Sequence, residues 1–208
     1  MNHVYLEIGP KRVFACSIDW PGWCRIGKSE DQAIEALLSY ESRYRLIAER
    51  AALPFDPGDP VITEHVKGDS TTDFGAPGAI PPSDFTPVAE PEATRAAALL
   101  TAAWAEFDAY AQVAPEELRK GPRGGGRDRT KMIGHVFEAE RAYARKAGLK
   151  PKPIKTPADL TAMRTAITQT LGVPSDTPAD HGWPARYTTR RIIWHVLDHL
   201  WEMQDRSI

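Results

Sequence analysis

Apolar residues are distributed in two different ways along this chain. Between residues 3 and 66 they come in short β-branched and aromatic runs broken by Gly and Pro, whereas beyond residue 91 they recur every three or four positions. Val4-Tyr5-Leu6-Glu7-Ile8, a Gly9-Pro10-Lys11 turn and Arg12-Val13-Phe14-Ala15-Cys16-Ser17-Ile18 predict a two-stranded hairpin. Trp20-Pro21-Gly22-Trp23 turns at Pro-Gly and leads into a third short strand through Cys24 and Ile26. Ser29 then heads a helix whose first turn holds Glu30, Asp31 and Gln32, with Gln32 completing a capping box. Ile34, Leu37, Leu38, Tyr44 and Ile47 keep helical spacing to about Arg50. Pro54, Pro57 and Pro60 end that helix, and Val61 to Val66 reads as a fourth strand returning to the sheet.

From Gly68 to Pro91 the periodic pattern fades among Gly75, Pro77, Gly78, Pro81, Pro82 and Pro87, as in a linker or a crossover running along the surface. Four helices follow. The first starts at Pro91-Glu92 and carries Leu99, Leu100, Ala103, Trp104, Phe107 and Tyr110 at spacings of three and four; the second covers roughly Arg129 to Ala147. The third is capped at Thr156, has Pro157 in its first turn and stops at Gly172, and the fourth spans about Pro184 to Asp205. Helices with one apolar stripe bury it most economically against each other, so a bundle is expected. The fold class is therefore α+β: a small ββ(β)αβ unit over residues 1–68, a linker over 69–90 and a four-helix bundle over 91–208. On the fourth helix Ile193, Leu197 and Leu200 form a second apolar face, which predicts a covering layer, either the N-terminal sheet or a second subunit.

Composition narrows the function. The 208 residues are 42% hydrophobic and 26% charged, as in globular proteins, and a net charge of −2 provides no general attraction for nucleic acid or anionic membrane. The longest apolar run, near Ala96 to Ala105, is about half of a ~20-residue membrane span, and the first residues lack the pattern of a signal peptide. A soluble, cytoplasmic chain is the expectation, with Cys16 and Cys24 as reduced, buried thiols.

His195 and His199 stand four apart on the fourth helix, on a stripe with Thr188, Ile192, Val196 and Met203, and so can point at one ion. His135 on the second helix, at the edge of a stripe of Met132, Val136, Ala139 and Tyr143, is the candidate third ligand. The segments Gly134-His135-Val136-Phe137-Glu138-Ala139-Glu140-Arg141 and Trp194-His195-Val196-Leu197-Asp198-His199-Leu200-Trp201-Glu202 resemble the two signature helices of the DinB-like superfamily. That superfamily includes mycothiol-dependent maleylpyruvate isomerase and bacillithiol transferases. The resemblance covers about residues 91–208 and implies a four-helix bundle, His135, His195 and His199 as ligands of a divalent metal, and an open position that activates a low-molecular-weight thiol. Zn, Ni or Fe suits such a donor set, and Cu is chemically acceptable too. Asp198 and Glu202 are candidates to orient imidazole N–H groups or act as a base, or else are solvated or salt-bridged helix charges. His3, His65 and His181 have no partner at ligand spacing and are expected at the surface.

Between Arg119 and Lys155 twelve basic residues face three acidic ones. The densest part, Lys120 to Arg129, places Arg123, Arg127 and Arg129 among glycines just before the second helix, where an anionic group of a thiol cofactor, substrate or nucleotide could dock. The competing reading is a solvated loop whose arginines pair with the acidic N-terminal half. No aromatic residues interleave with these charges, which argues against single-strand nucleic-acid binding.

At the other end, Asp19-Trp20-Pro21-Gly22-Trp23-Cys24 before Gly27-Lys28-Ser29-Glu30-Asp31-Gln32-Ala33-Ile34 resembles the HicB-like antitoxin fold over about residues 3–66. Members of that group neutralise a small toxin, and many carry a DNA-binding tail, but here a bundle stands in that place. The module then serves as a lid, a dimerisation surface or a packing partner, with Trp20 and Trp23 in its core. Two functions are compatible with this sequence. One is a metal-dependent, thiol-using transferase or isomerase of the DinB-like kind, acting on a small molecule, with a homodimer as one option for its assembly. The other is a non-enzymatic protein whose HicB-like part contacts a partner while the bundle is a scaffold.

Overall fold

A computed structural model describes residues 1–121, 126–175 and 182–207. Strand β1 (Asn2–Ile8) pairs antiparallel with β2 (Val13–Ser17), and β2 with β3 (Cys24–Gly27). Strand β4 (Pro60–Lys67) returns parallel to β1, giving the order β3-β2-β1-β4. A parallel return needs a crossover, which is supplied here by α1 (Glu30–Ser39) and α2 (Glu41–Arg50). Alternation along the strands sends Val4, Leu6, Val13 and Ala15 into one apolar cluster with Ala33 and Leu37 of α1, and Tyr5, Phe14 and Cys16 into a second with Cys24 and Trp194.

The expected helix from Ser29 to Arg50 is interrupted at Tyr40 (φ −100°, ψ 5°). No breaker residue lies there; tertiary contacts hold Tyr40, whose ring sits 3.9 Å beneath the Arg25 guanidinium and 5.0 Å from Trp201 and whose hydroxyl donates to Asp205. Ser29 caps α1 by accepting from Gln32 N–H, and Gln32 Oε1 accepts in turn from Lys28 N–H, one residue earlier than in a standard box. Trp23 is fully buried and donates its indole N–H to Leu37 O, forming an aromatic group with Trp20, Tyr44 and Phe55.

Residues 69–90 contain α3 (Ser70–Phe74) and a 3-10 turn at Pro82–Phe85, and polar side chains fasten them to the rest of the chain. The buried Glu7 carboxylate accepts from Thr72 Oγ1, Gly78 N–H and Ala79 N–H, while Asp84, 1% exposed, accepts two hydrogen bonds from Arg190. These contacts carry no hydrophobic periodicity, so the pattern gave no sign of them.

Helices α4 (Glu90–Val113), α5 (Arg129–Lys146), α6 (Pro157–Leu171) and α7 (Ala185–Arg206) follow. Helix α4 packs on α7 and α6, and α5 packs on the same two. Thr156 and Asp159 form the capping box that starts α6. Along α7 both faces are buried: Ile192, Val196 and Met203 on one, Ile193, Leu197 and Leu200 on the other. The cover over the second face comes from this same chain, since the Pro21-Gly22 turn lies directly against Ile193 and Trp194. A single apolar cluster joins Leu6, Trp23 and Leu37 to Leu100, Phe107 and Leu197. The fold is mixed α+β, and no helix among the described residues is long and apolar enough to cross a membrane.

The cysteines depart from expectation. The β2–β3 register sets Cys16 directly opposite Cys24, and the two are joined as a disulfide rather than held as reduced thiols. Facing positions on neighbouring antiparallel strands bring side chains together whatever their separation in sequence, which a spacing of eight residues does not disclose.

Candidate metal centre

The packing of α5 on α7 brings His135 to His195 and His199. One ligating atom from each of the three lies within 4.8 Å of the others. His135 Nε2 and His195 Nε2 are 3.2 Å apart, and ring centroids across the three pairs are separated by 4.6 to 5.0 Å. His195 and His199 are buried, whereas His135 on α5 is half-buried beside the exposed Gly134 and is the most solvent-exposed of the three. Tyr143, one of the stripe residues flanking His135, sets its ring edge-on to His195 at 5.6 Å.

Protonation follows from the surroundings. Burial, reinforced by the neighbouring His199, pushes His135 from 6.5 down to about 4, and burial with both neighbouring imidazoles holds His195 well below its ordinary value. Neutral imidazoles have lone pairs to offer. For His199 Glu202 sets which nitrogen is free for an ion: its Oε2 lies 2.9 Å from His199 Nδ1, and an ionised carboxylate can only accept, so Nδ1 is the donor and Nε2 is the nitrogen left to face a ligand. Burial works against the charged form of Glu202, but hydrogen bonds from His199 and Arg206 outweigh it and leave its pKa lowered. Arg206 in turn donates to the carbonyls of Arg119 and Arg127, so the segment before α5 holds the carboxylate that holds His199.

The residues fit a metal. Two nitrogens each ~2.0–2.1 Å from a tetrahedral ion lie about 3.3 Å apart, against 3.2 Å for His135 and His195. The widest separation, up to 4.8 Å, asks one imidazole to close by up to about 1.5 Å. Glu202 supplies the hydrogen-bonded support that ligand histidines usually have, while His195 Nδ1 is buried with no partner among the described residues.

The other sequence candidates are placed differently. Asp198 is engaged by Arg25 at 3.0 Å, and burial raises its pKa; it makes no hydrogen bond to the three histidines. Arg129 is committed to structure, donating to Ala114 O and pairing with Glu116 across the turn before α5. Arg127 is exposed, and its charge adds to the depression of His135 and His195. Arg123 and His181 lie outside the described residues. His3 and His65 are exposed. Three residues of the basic segment pair with near neighbours, Lys120 with Asp128, Arg129 with Glu116 and Arg141 with Glu138, and among the described residues none forms an ion pair with the N-terminal half. Arg206 was not singled out from the sequence, although its i, i+4 spacing from Glu202 is a readable signal. Arg25 has no such signal, being 173 residues from Asp198.

Comparison of the chain with protein-family models, with curated proteins and with solved structures finds no match.

Proposed function

We propose that His135, His195 and His199 hold one divalent ion and that the protein is a metal-dependent enzyme of the DinB-like kind, a transferase or isomerase that uses a low-molecular-weight thiol. The observation that carries this reading is the convergence of three imidazoles from two helices, with His135 and His195 nitrogens 3.2 Å apart. Pairwise packing of α4, α5, α6 and α7 supports the bundle part of the reading. A divalent ion on three neutral imidazoles supplies Lewis acidity and lowers the pKa of a thiol or water that reaches it, with Zn, Ni or Fe suited to the donor set. The chain's own residues act around it. Glu202 fixes the tautomer and orientation of His199, Arg206 holds Glu202, and the half-exposed His135 marks the side from which a small molecule enters. Asp198, held by Arg25, fixes how α7 meets the sheet and is not assigned a role as base.

Cobalt substitution tests the thiol part directly. A Co-loaded protein is expected to show a ligand-field spectrum of nitrogen coordination and to gain a sulfur-to-cobalt charge-transfer band when cysteine or another small thiol is added. A spectrum indifferent to thiols would contradict the thiol-using reading while leaving metal binding intact.

A second reading has its own observation. Strand β4 is an open edge of the sheet with Val61 and Ile62 exposed, an arrangement suited to pairing with a second copy or another protein. On that reading the protein is a non-catalytic binding protein, and a homodimer that dissociates when Ile62 is replaced by Lys is the expected result.

A further inference from the structure

At the N-terminal end of α7, ten residues before His195, a cavity of about 430 Å³ opens between the Ile18–Pro21 turn, the start of α4 and the start of α7. Its size falls within the range of small-molecule sites, roughly 300–1,000 Å³. Trp20, Val88, Pro91, Ala96 and Leu171 make much of its wall apolar.

Three guanidinium groups line it, and two are committed. Arg190 is bound to Asp84 and to Ser17 O, and Arg186 to Glu92 and to the carbonyls of Thr86 and Pro87. Arg95 is different. Its guanidinium lies 4.0 Å over the Trp20 ring and donates through Nη1 to Asp19 O, yet it pairs with no carboxylate among the described residues. Thr189 also lines the cavity at 3% exposure, and no described residue exchanges a hydrogen bond with its hydroxyl. Helix α7 begins here at Ala185 and Arg186 with no side chain capping it, so its first-turn N–H groups favour a negative ligand.

We propose that this cavity binds a small organic monocarboxylate with an apolar body, its carboxylate against Arg95 and Thr189 and its body against Trp20. A planar guanidinium fork matches a carboxylate. Glu92 is taken by Arg186 and Asp19 by His3, and Asp56 and Met1 are both exposed in the lining, so among the described residues Arg95 is the one guanidinium here left to meet a single carboxylate. The site is separate from the three histidines and does not rest on their binding a metal.

Phenylacetate, indole-3-acetate and hexanoate, each beside its neutral amide, are suitable probes for the full-length protein in chelator, read by calorimetry and ligand-detected NMR. At least one acid is expected to bind with 1:1 stoichiometry and its amide at least about tenfold more weakly, the scale of a hydrogen-bonded charge. Arg95→Gln is expected to weaken the acid by about tenfold or more. Thr189→Val, which keeps the shape of the side chain, is expected to weaken it several-fold and decides the matter if Arg95→Gln does not fold. Saturable binding by none of the three acids, equal binding of acid and amide, or an affinity unchanged in the folded variants would overturn the proposal.

Discussion

Replacing Gly22 by Ala tests whether the N-terminal turn is the layer that covers α7. Gly22 has φ +89°, and a Cβ there would lie 2.3 Å from Ile193 Cγ2 and 2.9 Å from Trp194 N. The second neighbour is backbone of a buried helix and cannot rotate away. A side chain in left-handed backbone costs about 1–2 kcal/mol and overpacking a core about 1–3 kcal/mol, so the expected loss is about 2–5 kcal/mol. For a chain of this size each kcal/mol is worth ~2–4 °C, so the melting temperature should fall by roughly 4–20 °C. Gly148 is the internal control, because its φ of +82° is similar but nothing lies within 4 Å of the added Cβ. Gly148→Ala therefore carries the backbone cost alone, about 1–2 kcal/mol. Thermal and urea unfolding of both variants separate the packing part as their difference, about 1–3 kcal/mol. Equal losses in the two variants would refute the claim that this turn is packed on α7.

Asp84→Asn should destabilise the fold by about 3–5 kcal/mol in urea unfolding, because it leaves the Arg190 guanidinium buried without its counter-charge. A loss below about 1 kcal/mol would mean that this pair does not hold the crossover in place. Glu202→Gln should lower metal affinity by about 10–100-fold in competition with a chromophoric chelator, and an unchanged affinity would reduce Glu202 to a partner of Arg206. The metal-free protein should lose stability on acidification. His135 titrates at about 4 when folded against 6.5 ordinarily, so the unfolded chain binds the proton first; this contribution is complete above 6.5 and is lost as pH falls through about 4. Urea midpoints across that interval should depend less steeply on pH in His135→Gln, and an identical dependence would contradict the depressed pKa.

What could be read in the sequence was what depends on local pattern. Branched and aromatic runs around Gly9-Pro10 and Pro21-Gly22 located β1, β2 and β3, and the Thr156-Pro157 start and Gly172 stop located α6. Three- and four-residue spacing located α4, α5 and α7 and set His195 and His199 on one face. The long-range approach of His135 to that pair was expected only through the family resemblance, and the other long-range chemistry could not be read. The break at Tyr40 comes from Arg25, Trp201 and Asp205, the anchoring of residues 69–90 from Glu7 and Arg190, and the disulfide from strand register. None of these leaves a periodic trace. The excess of positive charge near α5 was visible, but its partners were not, since short side-chain pairs such as Arg129 with Glu116 depend on how the turn before the helix closes.

The proposed function requires that the three histidines hold one ion. Elemental mass spectrometry of the untagged protein, purified natively and after incubation with Zn, Ni and Fe salts followed by desalting, measures this directly against the His195→Ala, His199→Ala double variant. Close to one metal per chain is expected in the native protein and none in the variant. A native protein that stays empty after loading, or a variant that keeps its metal, would contradict the proposed function.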